Sequence, residues 1–288
     1  LCGFGKNIVR EILIKDKLIT CYKHLNVNAT QYFPEDTIYL YQCVNCHLLF
    51  FSPALEGDKL FYHALSNGTY YMEDKFEFEY GLNTILKLKP ETVLEVGCGA
   101  GFFLEKIHHA FEVRGTEQNP AAIVELNKKG ILLDDGQREY NFVVAFQVIE
   151  HVQDVKAFLD WIILEKLKPG GHLLLTMPNV DSVYMKEVFQ ILDYPPHHLT
   201  RWPKQTLVFL ADLFNLEVID YFEEPILPVH YRQLVLERRK KWNQDINDKN
   251  YGNLIQTIEN CAIPHLLNLI HIPGHTHGIL MKKNLAST

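Results

Sequence analysis

The 288-residue sequence predicts a doubly wound α/β sheet. Three observations carry this. Short apolar runs alternate with stretches of helical period across residues 89–222, and a glycine turn, GCGAG, joins the first run to the first helix. Each later run is separated from the one before by at least a helix's length of chain, which demands crossover connections and a largely parallel sheet with helices on both faces. ETVLEV is the first strand; FFLEKIHHAF follows as a helix with Phe103, Ile107 and Ala110 at helical spacing. FEVRGTE is the second strand. NPAAIVELNKKG is a helix with Asn119 as N-cap, Pro120 in its first turn and Gly130 just past its end. NFVVAF is a buried strand, and residues 153–167 place Val155, Phe158, Leu159, Ile162 and Ile163 on one helical face. KPGG (168–171) is a turn before the strand HLLLTM, and HGILMKKN near the end is a last strand. Residues 1–55 are set apart by four cysteines and β-branched and aromatic runs, 56–88 become helical in period, and 223–275 are a helical insertion.

Composition narrows the function. Hydrophobic residues make up 47% and charged residues 22%, as in a chain that builds a core, and 28 Lys and Arg against 35 Asp and Glu give a net charge of −7. An acidic chain is a poor partner for nucleic acid or anionic membrane. No apolar run reaches the ~20 residues of a membrane span, and LCGFGKNIVR has no basic start before an apolar block, so a cytoplasmic location is expected.

Ligands of doubly wound sheets lie at the carboxyl ends of the strands. There Gly97, Gly99 and Gly101 alternate, so that main chain can approach a ligand with no Cβ between. Glu95 sits two residues before the first glycine. Glu117 ends the next strand, 22 positions after Glu95, where a carboxylate can accept both hydroxyls of a ribose. The loop has neither the Lys nor the Ser/Thr that hold polyphosphate, and its spacing is not the G-x-G-x-x-G of dinucleotide folds.

Together EVGCGAG, Glu117, NFVVAFQVIEHV and LKPGGHLLLTMPN resemble the motifs of class I S-adenosylmethionine (SAM)-dependent methyltransferases over roughly 89–222. The resemblance implies a Rossmann-like, mostly parallel seven-stranded sheet over 89–288. It also implies a glycine turn cradling the methionine part of SAM, with Glu117 on the ribose, Gln118 beside the adenine, and Phe146 and Gln147 on the pocket floor. Asn141-Phe142 stands where the family usually has Phe-Asp. An adenine contact from Asp134 or Asp135 is a further expectation. In the aromatic segment 61–80, similar to the lid of such enzymes, Tyr71 or Tyr70 would reach the methionine carboxylate.

PPHHLTRW resembles the branch near the ubiquinone-type O-methyltransferases. Pro195 and Pro196 stiffen that loop. His198 or His197, and after them His151 beside Glu150, are candidates for the general base, since histidine can take a proton from a hydroxyl near neutrality. The run Gln147-x-x-Glu150-His151 is similar to the Glu-x-x-Glu-His with which small-RNA 2′-O-methyltransferases bind a divalent metal. With Gln147 in place of one carboxylate, the resemblance favours a base over a hard-cation site.

Cys43 and Cys46 form one zinc knuckle. A second is either Cys21-x-x-His24 or Cys2-Gly3, read as the tail of a C-x-x-C-G knuckle begun upstream, as in the zinc-ribbon-like leaders of many bacterial methyltransferases. A degenerate, metal-free segment is the alternative to a structural zinc. The expected function is SAM-dependent methylation of a small-molecule or sugar-like acceptor at oxygen. A non-catalytic SAM-binding protein and a nicotinamide oxidoreductase are the competing readings.

Overall fold

The computed structural model describes residues 1–65, 73–245 and 272–285, with side chains omitted for 241–245. Among the described residues, eleven strands form two sheets: β1 (Asn7–Ile14), β2 (Thr37–Cys43), β3 (Leu49–Ser52), β4 (Thr92–Val96), β5 (Glu112–Thr116), β6 (Leu132–Leu133), β7 (Tyr140–Phe146), β8 (Leu167–Pro178), β9 (Thr200–Arg201), β10 (Leu216–Pro225) and β11 (Pro273–Lys283). The large sheet has seven strands in the order β10-β11-β8-β7-β4-β5-β6. Strands β4 to β8 pair in parallel, and β11 runs antiparallel between β8 and β10. The expected fold class is therefore the observed one.

The central strands are apolar on both faces because helices cover both. Leu94, Val96, Val143, Ala145, Leu173 and Leu175 face one core cluster, while Val93, Phe142, Val144, Phe146 and Leu174 face the other. This is the period of two that a strand imposes on its side chains. Each fully buried Leu or Val contributes about 1.5–3 kcal/mol.

Local chemistry explains most elements. The helix Pro120–Lys128 starts where the Asn119 side chain accepts a hydrogen bond from the Ala121 N–H, and Gly130 follows its end at φ +69°. Two expectations change in detail. The helix after the glycine turn is only Phe102–Glu105; Phe103 and Ile107 are buried as expected, but the chain turns at Lys106 and leaves Ala110 exposed. KPGG is not a turn before the strand but an excursion within it. Tyr140 pairs with Leu167 and Phe142 with His172, so Lys168–Gly171 bulge opposite Asn141, with Gly170 at φ +76°. A bulge absorbs extra residues without ending the ladder.

The segment before the large sheet forms an antiparallel sheet in the order β1-β2-β3-β9. Its own core (Tyr22, Tyr32, Ile38, Leu40, Phe51, Phe61) packs against Ile191, Leu192 and Tyr194 from the later chain. The helices Lys59–Leu65 and Phe76–Leu88 lie between the two sheets in sequence. After β10 comes the helix Pro228–Asp245; residues 246–271 lie outside the described residues. No helix among the described residues is long and apolar enough to cross a membrane.

Candidate active site

The strand order reverses at β4, which has β5 on one side and β7 on the other, so a crevice opens beyond their carboxyl ends. The glycine turn leaves β4 into this crevice. Gly97, Gly99 and Gly101 have φ of +68°, +53° and +75°, a region closed to most other residues. A Cβ on Gly97 would lie 2.8 Å from Val148 Cγ2, and one on Gly101 2.5 Å from Leu126 Cδ2. The turn is pinned to β5, with Cys98 N–H donating to the Thr116 carbonyl (2.9 Å) and Gly97 N–H to Thr116 Oγ1 (3.2 Å).

Glu117 is held over this turn by main chain alone. Its Oε2 accepts from Gly99 N–H (2.8 Å), and its Oε1 from the N–H groups of Gln118 and Asn119 (2.7 Å each). Glu95 is buried and its Oε2 has no hydrogen-bond partner. Burial pushes its carboxyl up to about 8, with Lys75 opposing and Glu117 adding to the rise. Phe146 ends β7 edge-on to Phe103 (4.8 Å between centroids) and Phe78 (5.0 Å). Gln147 follows at φ +54°, its N–H on the Thr176 carbonyl (3.0 Å). Gln118 is exposed at the rim. Tyr71 and Tyr70 lie outside the described residues. Asp134 turns away from the crevice into an ion pair with Lys166 (2.8 Å), both side chains nearly inaccessible, and accepts from Tyr140 Oη (2.6 Å). Asp135 pairs with Arg114 and Arg138 instead.

One cavity of about 1360 Å³ runs from the glycine turn and Glu117 to the three histidines. His151 comes from the turn after β7; His197 and His198 come from the loop before β9. The ring of His151 lies 4.5 Å from that of His197 and 4.7 Å from that of His198, centroid to centroid. The N-terminal segment holds the loop in place: Tyr22 Oη donates to the Tyr194 carbonyl (2.7 Å), Phe51 N–H to the Leu199 carbonyl (2.9 Å) and Gly57 N–H to the Pro196 carbonyl (3.0 Å). Leu199 N–H in turn donates to the Glu150 carbonyl (2.8 Å). Burial brings His151 down to about 4 and holds His197 and His198 well below the usual histidine range. All three rings are thus neutral at pH 7. Glu150 is fully buried, and that burial pushes it up to about 8. Lys75, Asp193 and His275 also line this cavity, although the sequence did not assign them to the site. No local motif marks them; only the tertiary fold brings them in.

A second cluster lies at the N-terminal sheet. The sulfurs of Cys2, Cys43 and Cys46 fall within 4.8 Å of one another, with 3.6 Å between those of Cys2 and Cys43. Burial opposes ionisation of Cys2, but hydrogen bonds from the Phe4 backbone, Asn45 and the two other thiols outweigh it and bring it to about 7. Cys21 and His24 sit at the end of the helix Lys15–Lys23 and are not part of this cluster.

The profile of the family described as methyltransferase domain matches residues 69–221, more than half of the chain. The chain is 28% identical over 117 residues to a ubiquinone biosynthesis O-methyltransferase of Bradyrhizobium diazoefficiens, covering 36% of this chain and 46% of that protein. It is 25% identical over 207 residues to the protein of the same name from Rickettsia conorii, covering 65% and 68%. The chain thus spans about half the length of the first of these relatives. A solved SAM-dependent methyltransferase from Archaeoglobus fulgidus aligns with 72% of this chain and 94% of its own at 19% identity and a TM-score of 0.46. The matched segment contains the glycine turn, Glu117, Glu150–His151 and the paired histidines, and the chain belongs to the methyltransferase-domain family, the class I SAM-dependent methyltransferases.

Proposed function

We propose that the protein transfers a methyl group from SAM to a hydroxyl oxygen of a small, sugar-like acceptor. The observation that carries this is one continuous cavity with a nucleoside-type cradle at one end and three imidazoles at the other. SAM suits the first end. The left-handed glycines leave room that a Cβ would fill, and Glu117 faces the turn at the strand end where a ribose is held. Buried Glu95 has an oxygen without a partner, a match for a ligand that carries positive charge and a mismatch for a pyrophosphate. Gln118 at the rim, and Phe146 and Gln147 along the floor, would flank the rest of the nucleoside.

When bound, SAM supplies an electrophilic methyl group. The chain's part is to align the acceptor, exclude water and accept its proton. His151, the most open of the three rings, heads the base site, with His197 and His198 behind it. The relatives named as ubiquinone biosynthesis O-methyltransferases support transfer to oxygen. Calorimetry with SAM, S-adenosylhomocysteine and NADH tests the donor: SAM and its product should bind and NADH should not. Binding of NADH alone would replace this reading with an oxidoreductase. Turnover on a panel of hydroxylated metabolites separates an enzyme from a non-catalytic SAM-binding protein. His151→Ala and His198→Ala should lose at least tenfold in kcat, within the usual range for a general base. Wild-type turnover in both would remove the base assignment.

The cysteine trio fits a structural zinc through three thiolates, which favours Cys2 over the alternative ligands Cys21 and His24. Zinc there would clamp the β2–β3 turn onto the start of the chain. Metal analysis of wild type against Cys43→Ser tests it; equal zinc content in both would discard the site.

A further inference from the structure

The two carboxylates expected at the edge of the base are engaged elsewhere. Asp134 pairs with Lys166 (2.8 Å) and accepts from Tyr140 Oη (2.6 Å); its side chain is 4% exposed. Asp135 accepts from Arg138 (3.2 Å) and from the Gln137 N–H (3.0 Å). Neither residue lines the cavity.

What stands at the cavity wall instead is aromatic. The helix Val155–Asp160 runs on as a π-turn over Trp161–Lys166. Val155, Leu159, Ile162 and Ile163 are buried in the core. Phe158 and Trp161, three positions apart, share the neighbouring flank of the helix and line the cavity, both half-buried. Their ring centroids are 6.2 Å apart and their planes 37° from parallel. A tryptophan that only packs finds its cover in the core, as Trp202 does at 0% exposed.

The π-turn decides where the Trp161 ring lies. In a regular α-helix, residues five apart point away from each other. The wider turn brings Lys166 Nζ to 5.7 Å from the Trp161 ring centroid. Lys166 holds Asp134, and the Asp134 N–H donates to the Gly115 carbonyl (2.9 Å), two residues before Glu117. This series of contacts ties the ring to β5, and so to the nucleoside end of the cavity. Such π-turns are rare and concentrate at functional sites.

We propose that Trp161, with Phe158 beside it, is the platform on which the donor's purine stacks, so that the base is read through its ring face and not by a carboxylate at its amino edge. The inference rests on the SAM reading of the cavity. Stacking on an aromatic ring tolerates changes at the edge of a base, because every base presents a π-face. Lys166 then sets specificity indirectly, by withholding Asp134 from the ligand.

The test is calorimetry and tryptophan fluorescence on the full chain, with S-adenosylhomocysteine (SAH) and S-inosylhomocysteine as probes. The second probe carries a carbonyl oxygen in place of the amino group. It should bind within about tenfold of SAH. A site built on a hydrogen bond from that amino group would reject it by roughly 10⁴-fold. Trp161→Ala should weaken SAH binding roughly 10–100-fold. Trp161→Phe keeps an aromatic face and should hold SAH within about fivefold of wild type. SAH should quench tryptophan emission in the wild-type protein, and the quenching should vanish in Trp161→Phe, since Trp202 is fully buried and does not line the cavity. Wild-type SAH affinity in Trp161→Ala, quenching that persists in Trp161→Phe, or strong rejection of the inosyl probe would each overturn the proposal. If Trp161→Ala does not fold, the quenching and the inosyl probe decide. Failure of SAH to bind wild type removes the donor reading and the platform with it; SAH binding that ignores Trp161 removes the platform alone.

Discussion

At the residue scale, the glycine turn is where sequence and structure agree most closely, because positive φ restricts which residues can occupy a position. Gly97→Ala would place a Cβ 2.8 Å from Val148 Cγ2 in a left-handed conformation. It should weaken SAM binding at least tenfold by calorimetry with the fold retained by circular dichroism. Glu95 gives a pH signature. Its folded pKa, raised to about 8 by burial, lies above the ordinary value near 4.3, so the folded protein holds this proton more tightly than the unfolded chain does. Its contribution to stability is complete below the unfolded pKa and is lost as pH rises through about 8. Ionised Glu95 is also the better partner for a cationic ligand, so SAM affinity should rise between pH 7 and 9, and Glu95→Gln should flatten that rise. An unchanged slope in the variant would dissociate Glu95 from the donor site. The histidine cluster shows the limit of reading at this scale. PPHH and EH stand out as motifs, yet their meeting depends on a loop 46 positions away returning over the turn after β7. Asp193 and Lys75 carry no local mark at all.

At the element scale, the alternation of strands and helices was legible because each strand of a two-sided sheet is an apolar run and each crossover helix carries its own caps. What was not legible was how elements end. Helical spacing over 102–111 continues past the point where the chain leaves the helix, and KPGG reads as a turn although the ladder resumes beyond it. Tertiary pairing decides both. The loop that delivers His197 and His198 depends in the same way on distant partners. Tyr22, fully buried, donates to the carbonyls of Ile191 (3.1 Å) and Tyr194 (2.7 Å). Tyr22→Phe keeps the ring and removes the donor, which should cost about 1–3 kcal/mol for the carbonyls left unsatisfied. On the proposed reading the loop forms the acceptor end, so the variant should lose kcat while its SAM dissociation constant stays at the wild-type value. Equal losses in both would mean that Tyr22 supports the whole cavity and not the histidine loop.

At the scale of the whole molecule, the sequence divides the chain at about residues 55 and 88, and the contacts cross those lines. Strand β9, from residues 200–201, completes the N-terminal sheet by pairing with β3, and the core around Phe61 takes in Ile191, Leu192 and Tyr194. Phe61 is 2% exposed and meets Tyr22 and Tyr32 edge-on at 5.5 Å each. Phe61→Ala removes a large side chain from that core and should cost roughly 3–5 kcal/mol. If the N-terminal sheet were an independent unit, the variant would develop a separate low-temperature transition while the large sheet melted as before. The shared strand and the shared apolar core couple the two, so the loss should be distributed over the whole protein. Scanning calorimetry should then show one transition displaced to lower temperature, with no shoulder. A low-temperature peak that moves alone in Phe61→Ala would show instead that the N-terminal sheet unfolds by itself. In that case the histidine loop would depend on a segment that can open while the donor crevice stays closed.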